Sequence, residues 1–192
     1  MSRPFRYGVI APGADKEDIK FFKPFLTSSG YTTRDEITER SNEFRTADEI
    51  HVTAIGHGEM DSRLINNSLT AAELITLTAV ELGVDQAKKV TKFRLQACYQ
   101  GPLVTEANAE SGKTKLIPEV VASLQQFGSP SLTFSCPQQF SYIAANGYFD
   151  TNATSLEDCK VKQEDGSLER GGVWSVKKEV RCVTAKKGVS RI

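Results

Sequence analysis

FRLQACYQG, Phe93 to Gly101, is the stretch on which the reading of the fold turns. Its first half alternates as a strand does and stops at a thiol, with a glycine three residues past Cys98. Extended back to Val90, the run VTKFRLQAC has the β-branched and aromatic residues that suit a pleated, half-buried surface. A second stretch repeats the pattern: IHVTAIGHGEM, Ile50 to Met60, is a β-branched run that ends in glycine and is followed by His57. Between the two lies TAAELITLTAVELG, 70–83, which opens on the capping-box pair Thr70 and Glu73 and closes on Gly83, so a helix is expected there.

The same alternation continues in both directions. A first strand is expected over 5–12, FRYGVIAP, leading into a helix that ends near Gly30 and carries Pro24 in its last turns. YTTRDEI suits a short second strand, and the polar 38–48 suits a loop or short helical piece. The third strand is expected over 49–56 and the fourth over 90–98. A helix over 114–128, with Pro118 near its start, and a strand over 131–136 complete the core, which spans about 5–136. The last residues, about 165–190, read as turns and a hairpin, with Trp174, Val176, Val180 and Cys182 on one face. Strands alternating with helices of this length predict an α/β fold: a mostly parallel sheet with helices on both faces, in one domain over 1–192. In such sheets functional groups gather at the carboxyl ends of the strands. If the third and fourth strands are neighbours, His57 and Cys98 share that edge, about 5 Å apart.

Composition removes several classes. The chain has 192 residues, 39% hydrophobic and 25% charged, as in ordinary globular domains. No apolar run nears the roughly 18 residues of a membrane span. Tyr7 to Pro12 is too short for the core of a signal peptide, so Sec-type export is not expected, while export without a cleavable signal stays open. The four cysteines, Cys98, Cys136, Cys159 and Cys182, form no CxxC pair and there are two histidines, so neither a zinc site nor a disulfide scaffold is expected. Reduced thiols fit a cytosolic environment. An effector delivered into a host cell's cytosol reads alike.

Charge is zero overall but uneven: Arg170–Ile192 carries seven Lys or Arg against one acid, Glu179. Such an end invites an anionic partner, although lysines on an edge strand also serve to discourage aggregation.

The chemistry that His57 and Cys98 would perform is specific. A thiol is mostly protonated at neutral pH, with an unperturbed pKa of about 8.5. A neighbouring imidazole removes the proton or, as imidazolium, stabilises the thiolate, and later protonates a departing amine. Gly58 lets the chain pass close to a substrate, and its amide with that of Cys98 would serve the oxyanion.

On VTAIGHG (52–58) and FRLQAC (93–98) the sequence resembles the caspase-like cysteine peptidases of clan CD, among them caspases, metacaspases, gingipains, clostripain, separase and the self-processing domains of large bacterial toxins. The resemblance implies a three-layer sandwich, a catalytic His57 and a nucleophilic Cys98 acting through a thioester acyl-enzyme. It also implies Gly58 as the oxyanion glycine and Gln96 as a wall of the primary specificity pocket. Compact size and the late basic hairpin look most like the toxin domains and related effectors. The implied activator is then inositol hexakisphosphate, bound by Lys177, Lys178, Arg181, Lys186 and Lys187 on a C-terminal β-hairpin flap. No cofactor or metal is implied for the chemistry, and the expected partner is a protein or peptide substrate, not nucleic acid. The competing reading is a non-enzymatic α/β module, either an inactive relative or a polyanion-binding domain; acyl transfer on the same dyad is a third.

Lesser candidates are GVIAPGADK, which has glycines after a strand but no phosphate-loop pattern, and Glu59 and Asp61, either of which would orient the imidazole if not simply exposed. His51 shares a strand face with His57, and Cys136 reads as structural.

Overall fold

A computed structural model describes residues 3–59, 61–108, 113–129, 132–137, 142–143, 149–150 and 179–182. In chain order the elements are β1 (Phe5–Ile10), α1 (Lys16–Ser28), β2 (Thr32–Thr33), a 3₁₀ turn (Arg34–Glu36), α2 (Ser41–Thr46) and β3 (Ile50–Ile55). Next come a ribbon of β4 (Leu64–Ile65) and β5 (Leu69–Thr70), then α3 (Ala71–Leu82), α4 (Val84–Ala87), β6 (Val90–Gln96) and α5 (Gln100–Leu103). A hairpin of β7 (Thr105–Asn108) and β8 (Lys113–Leu116), α6 (Pro118–Gln125), β9 (Thr133–Pro137), the pair β10 (Tyr142–Ile143) and β11 (Phe149–Asp150), and β12 (Glu179–Cys182) complete the series.

The main sheet has the order β12-β9-β6-β3-β1-β2. Five of its strands run parallel, and β12 joins β9 antiparallel at one edge. Alternation along each strand sorts the side chains to two faces. Phe5, Tyr7 and Val9 of β1, Ile50, Val52 and Ala54 of β3, and Phe93, Leu95 and Ala97 of the β6 stretch pack with Leu74, Ile75, Ala79 and Leu82 of α3 and Val120 and Leu124 of α6. On the other face Ile55 and Ile10 meet Phe22, Phe25 and Leu26 of α1. Helices therefore cover both faces, and the strand interiors are apolar as burial on both sides requires. None of the described helices is long and apolar enough to cross a membrane.

The helix ends follow local chemistry. Asp15 accepts from the backbone N–H groups of Glu17 and Asp18 and starts α1; Thr70 and Glu73 form the expected capping box of α3. Pro24 stays inside α1, on its exposed side, where water can serve the carbonyl that loses its partner.

The expected helix over 114–128 is corrected. Residues 113–116 form β8, paired with β7 from Thr105↔Leu116 to Asn108↔Lys113. Pro118 disfavours helical backbone at the residue before it, and Ile117 is extended (φ −64°, ψ 148°), so α6 begins only at Pro118. The second strand shrinks to Thr32–Thr33 because Glu36 turns back to accept from the Thr33 N–H and winds 34–36 into a 3₁₀ turn. Of the expected C-terminal hairpin, Glu179–Cys182 is the described part; Trp174, Val176 and the rest lie outside the described residues.

Candidate active site

β3 and β6 are neighbours and parallel, and their register runs to Ile55↔Gln96. Two residues further along each chain stand His57 and Cys98. The pairing continues past the last ladder residues, since the Gly56 N–H donates to the Gln96 carbonyl at 3.2 Å. The convergence is closest at Gly58: a methyl group placed on its α-carbon would lie 2.1 Å from the Cys98 carbonyl oxygen and 3.0 Å from the Cys98 nitrogen. Only a residue without a side chain fits there. The His57–Gly58 segment thus lies against the Cys98 peptide on one rim of the sheet. The Gly58 N–H makes no hydrogen bond among the described residues, leaving a donor beside the cysteine.

The chain turns sharply at the thiol. Ala97 is buried in the core, Cys98 is partly exposed, and Tyr99 takes a left-handed backbone (φ 57°) before α5 begins. A bulky residue in that region is costly, about 1–2 kcal/mol, and persists only where the surroundings impose it. Strand, thiol, left-handed turn and short helix follow one another within a few residues, so the thiol stands at the end of the strand.

The imidazole is oriented from across the molecule. His57 Nε2 lies 2.8 Å from Asp18 Oδ1, and its ring stands against Phe22 with centroids 5.2 Å apart. Asp18 belongs to the first turn of α1, and its other oxygen accepts from the Asp15 N–H at 3.3 Å. The hydrogen bond to His57, helped by that backbone N–H, holds the Asp18 carboxyl below its ordinary range. A carboxylate at Nε2 favours the tautomer with its proton on that nitrogen, which leaves Nδ1 as the basic atom. Among the described residues Nδ1 makes no hydrogen bond, and the side chain is 60% exposed. Asp18, bonded to the imidazole, is not among the acids that the sequence points to. The acids beside His57 in sequence are Glu59 and Asp61, whereas the partner is 39 residues away. Asp18 does carry a local signal, the capping-box position three residues after Asp15, but that signal speaks of helix initiation only.

Gln96 is buried, and its side-chain oxygen accepts from Arg94 Nε at 3.0 Å, so a guanidinium already occupies one side of that carboxamide. His51 is not part of the constellation: it stands at the opposite end of β3, with Nε2 at 2.9 Å from Glu49 Oε1. Cys136 is fully buried in the core. Of the basic residues, Arg181 lies on β12 opposite Ser135, while Lys177, Lys178, Lys186 and Lys187 lie outside the described residues.

Fold and site together define an α/β protein in which a parallel sheet brings an imidazole and a thiol to adjacent strand ends. Comparison with protein-family models, curated proteins and solved structures finds no match to this chain.

Proposed function

We propose that this chain is a cysteine endopeptidase of the caspase-like kind, with Cys98 as nucleophile and His57 as its proton partner. The observation that carries the reading is the continuation of the β3–β6 register to His57 and Cys98, with Gly58 seated against the Cys98 peptide. In the reaction, the Cys98 sulfur bonds to the carbonyl carbon of the scissile peptide while the N–H groups of Gly58 and Cys98 receive the oxyanion. The imidazolium protonates the leaving nitrogen as the C–N bond breaks, giving a thioester and a free amine. Water then attacks the thioester, His57 takes its proton, and the acid product leaves with the thiol restored. Asp18 keeps the ring in one orientation throughout and in one tautomer when it is neutral, and Gln96 serves as a wall of the pocket for the residue before the cleaved bond.

The test is the pH profile of Cys98 alkylation by iodoacetamide, with cleavage of a fluorogenic peptide mixture as the second readout. Wild type should react with a thiolate populated below the ordinary pKa of about 8.5, and His57→Ala should return the profile to that value. Equal profiles in the two proteins discard the dyad. We further propose that a polyanion such as inositol hexakisphosphate gates the site through Lys177, Lys178, Arg181, Lys186 and Lys187. That gating is excluded if the ligand changes neither thermal stability nor Cys98 reactivity.

A further inference from the structure

Asn66 sits in the turn of the β4–β5 ribbon, outside both motifs that point to the site, yet it touches the His57 main chain twice. Its Oδ1 accepts from the His57 N–H at 2.6 Å, and its own N–H donates to the His57 carbonyl at 2.8 Å. The other end of the carboxamide reaches the segment after β1: Nδ2 donates to the carbonyl of Ala11 at 2.8 Å. One side chain therefore joins the segments that follow β1 and β3.

The residue type is dictated by this arrangement. The His57 N–H requires an acceptor and the Ala11 carbonyl requires a donor, and a carboxamide is the short side chain that supplies both. An aspartate lacks the donor and would set a negative charge against the Ala11 carbonyl. Asn66 also holds a left-handed backbone (φ 51°), which asparagine tolerates better than most residues. The approach is close: a side chain at Gly13 (φ 87°), two residues after Ala11, would lie 2.6 Å from the Asn66 carbonyl oxygen.

We propose that Asn66 is a positioning residue of this site, an inference that rests on the Cys98–His57 reading. The segment it grips at Ala11 leads within a few residues to the first turn of α1, where Asp18 binds the imidazole. Tying Ala11 to His57 thus fixes the distance between the ring's main chain and the carboxylate that orients the ring. The same grip sets Gly58, the next residue, against the Cys98 peptide. Asn66 touches no reacting atom; it acts through His57 and Gly58.

The experiment is the alkylation profile of Cys98 in Asn66→Gly, a substitution that keeps the left-handed backbone without strain and removes both side-chain bonds. The expected result is a shift of the profile toward that of His57→Ala, with alkylation near neutral pH slowed about tenfold or more and the circular dichroism spectrum unchanged. Asn66→Asp, which keeps the acceptor for the His57 N–H, should fall between Asn66→Gly and wild type. A wild-type profile in Asn66→Gly overturns the inference. Should that variant not fold, Asn66→Ser, whose hydroxyl is too short to span both partners, carries the same expectation and the same refutation. If wild type and His57→Ala already react alike, it is the dyad that fails, and the two failures are told apart by that one comparison.

Discussion

Tyr99 holds a left-handed backbone (φ 57°) directly after the thiol. Nothing in CYQG announces a left-handed backbone, because tyrosine has no preference for one; the position takes it because β6 must give way to α5 immediately after the thiol. Glycine there removes the steric cost and with it the contacts that the ring makes, so Tyr99→Gly is expected to change stability toward urea by about 1 kcal/mol at most. It should also slow Cys98 alkylation, since a glycine turn populates several conformations and presents the thiol in each. Equilibrium unfolding and the alkylation rate, measured on one preparation, check both halves; a destabilised variant would mean that contacts of the ring outweigh the backbone strain. His57, Gly58 and Cys98 were legible because each follows a run of strand periodicity, and periodicity alone places it at a strand end. Asp18 and Asn66 were not, because each meets His57 through a contact that joins segments distant in sequence, and local pattern carries no record of such contacts.

At the level of elements, α1 and α3 begin with the same device and have different consequences. Thr70 and Glu73 cap α3, and the hydrogen bonds of Thr70 hold the Glu73 carboxyl below its ordinary range. Asp15 and Asp18 cap α1, but there the second acid also holds His57. Thr70→Ala and Asp15→Ala should each cost about 1 kcal/mol of stability, the usual worth of an N-cap. Only Asp15→Ala should also slow Cys98 alkylation, because the loosened first turn carries Asp18 with it. Urea unfolding paired with alkylation separates the two; similar slowing in both variants would show a general loss of rigidity instead. The helix of 70–83 was readable almost to the residue because cap, periodicity and terminal glycine agree. The β7–β8 hairpin was not: TEAN and KTKL alternate weakly and carry few apolar residues, and the helix expected over 114–128 took in most of the second strand.

Over the whole molecule, strand–helix alternation was enough to predict a parallel sheet covered on both faces, since a parallel pair needs a crossover and the crossovers are helices. What alternation does not reveal is how β1 is fastened to the helix layer. Tyr7 of β1 is buried beside Glu81 of α3, and Arg34 of the 3₁₀ turn donates to Glu81 at 3.0 Å. Burial first, and then the Glu81 carboxylate, push the Tyr7 phenol up to about 12; Arg34 acts in the opposite direction. The folded protein therefore keeps this proton where the unfolded chain, with a phenol near its ordinary value of about 10, gives it up. Stability is unaffected below that value and declines as pH rises from about 10 to about 12, by roughly 2–3 kcal/mol for two units. Lys23, raised by its hydrogen bond to Asp35, slopes the same way, so the total alkaline loss does not isolate Tyr7. The difference between wild type and Tyr7→Phe does. Urea unfolding at a series of pH values should show the wild-type curve falling more steeply than the variant's above pH 10, with the two parallel below it. Curves that stay parallel through pH 12 would mean that the phenol ionises as readily in the folded protein as in the unfolded chain, and that the cover over β1 opens to water there.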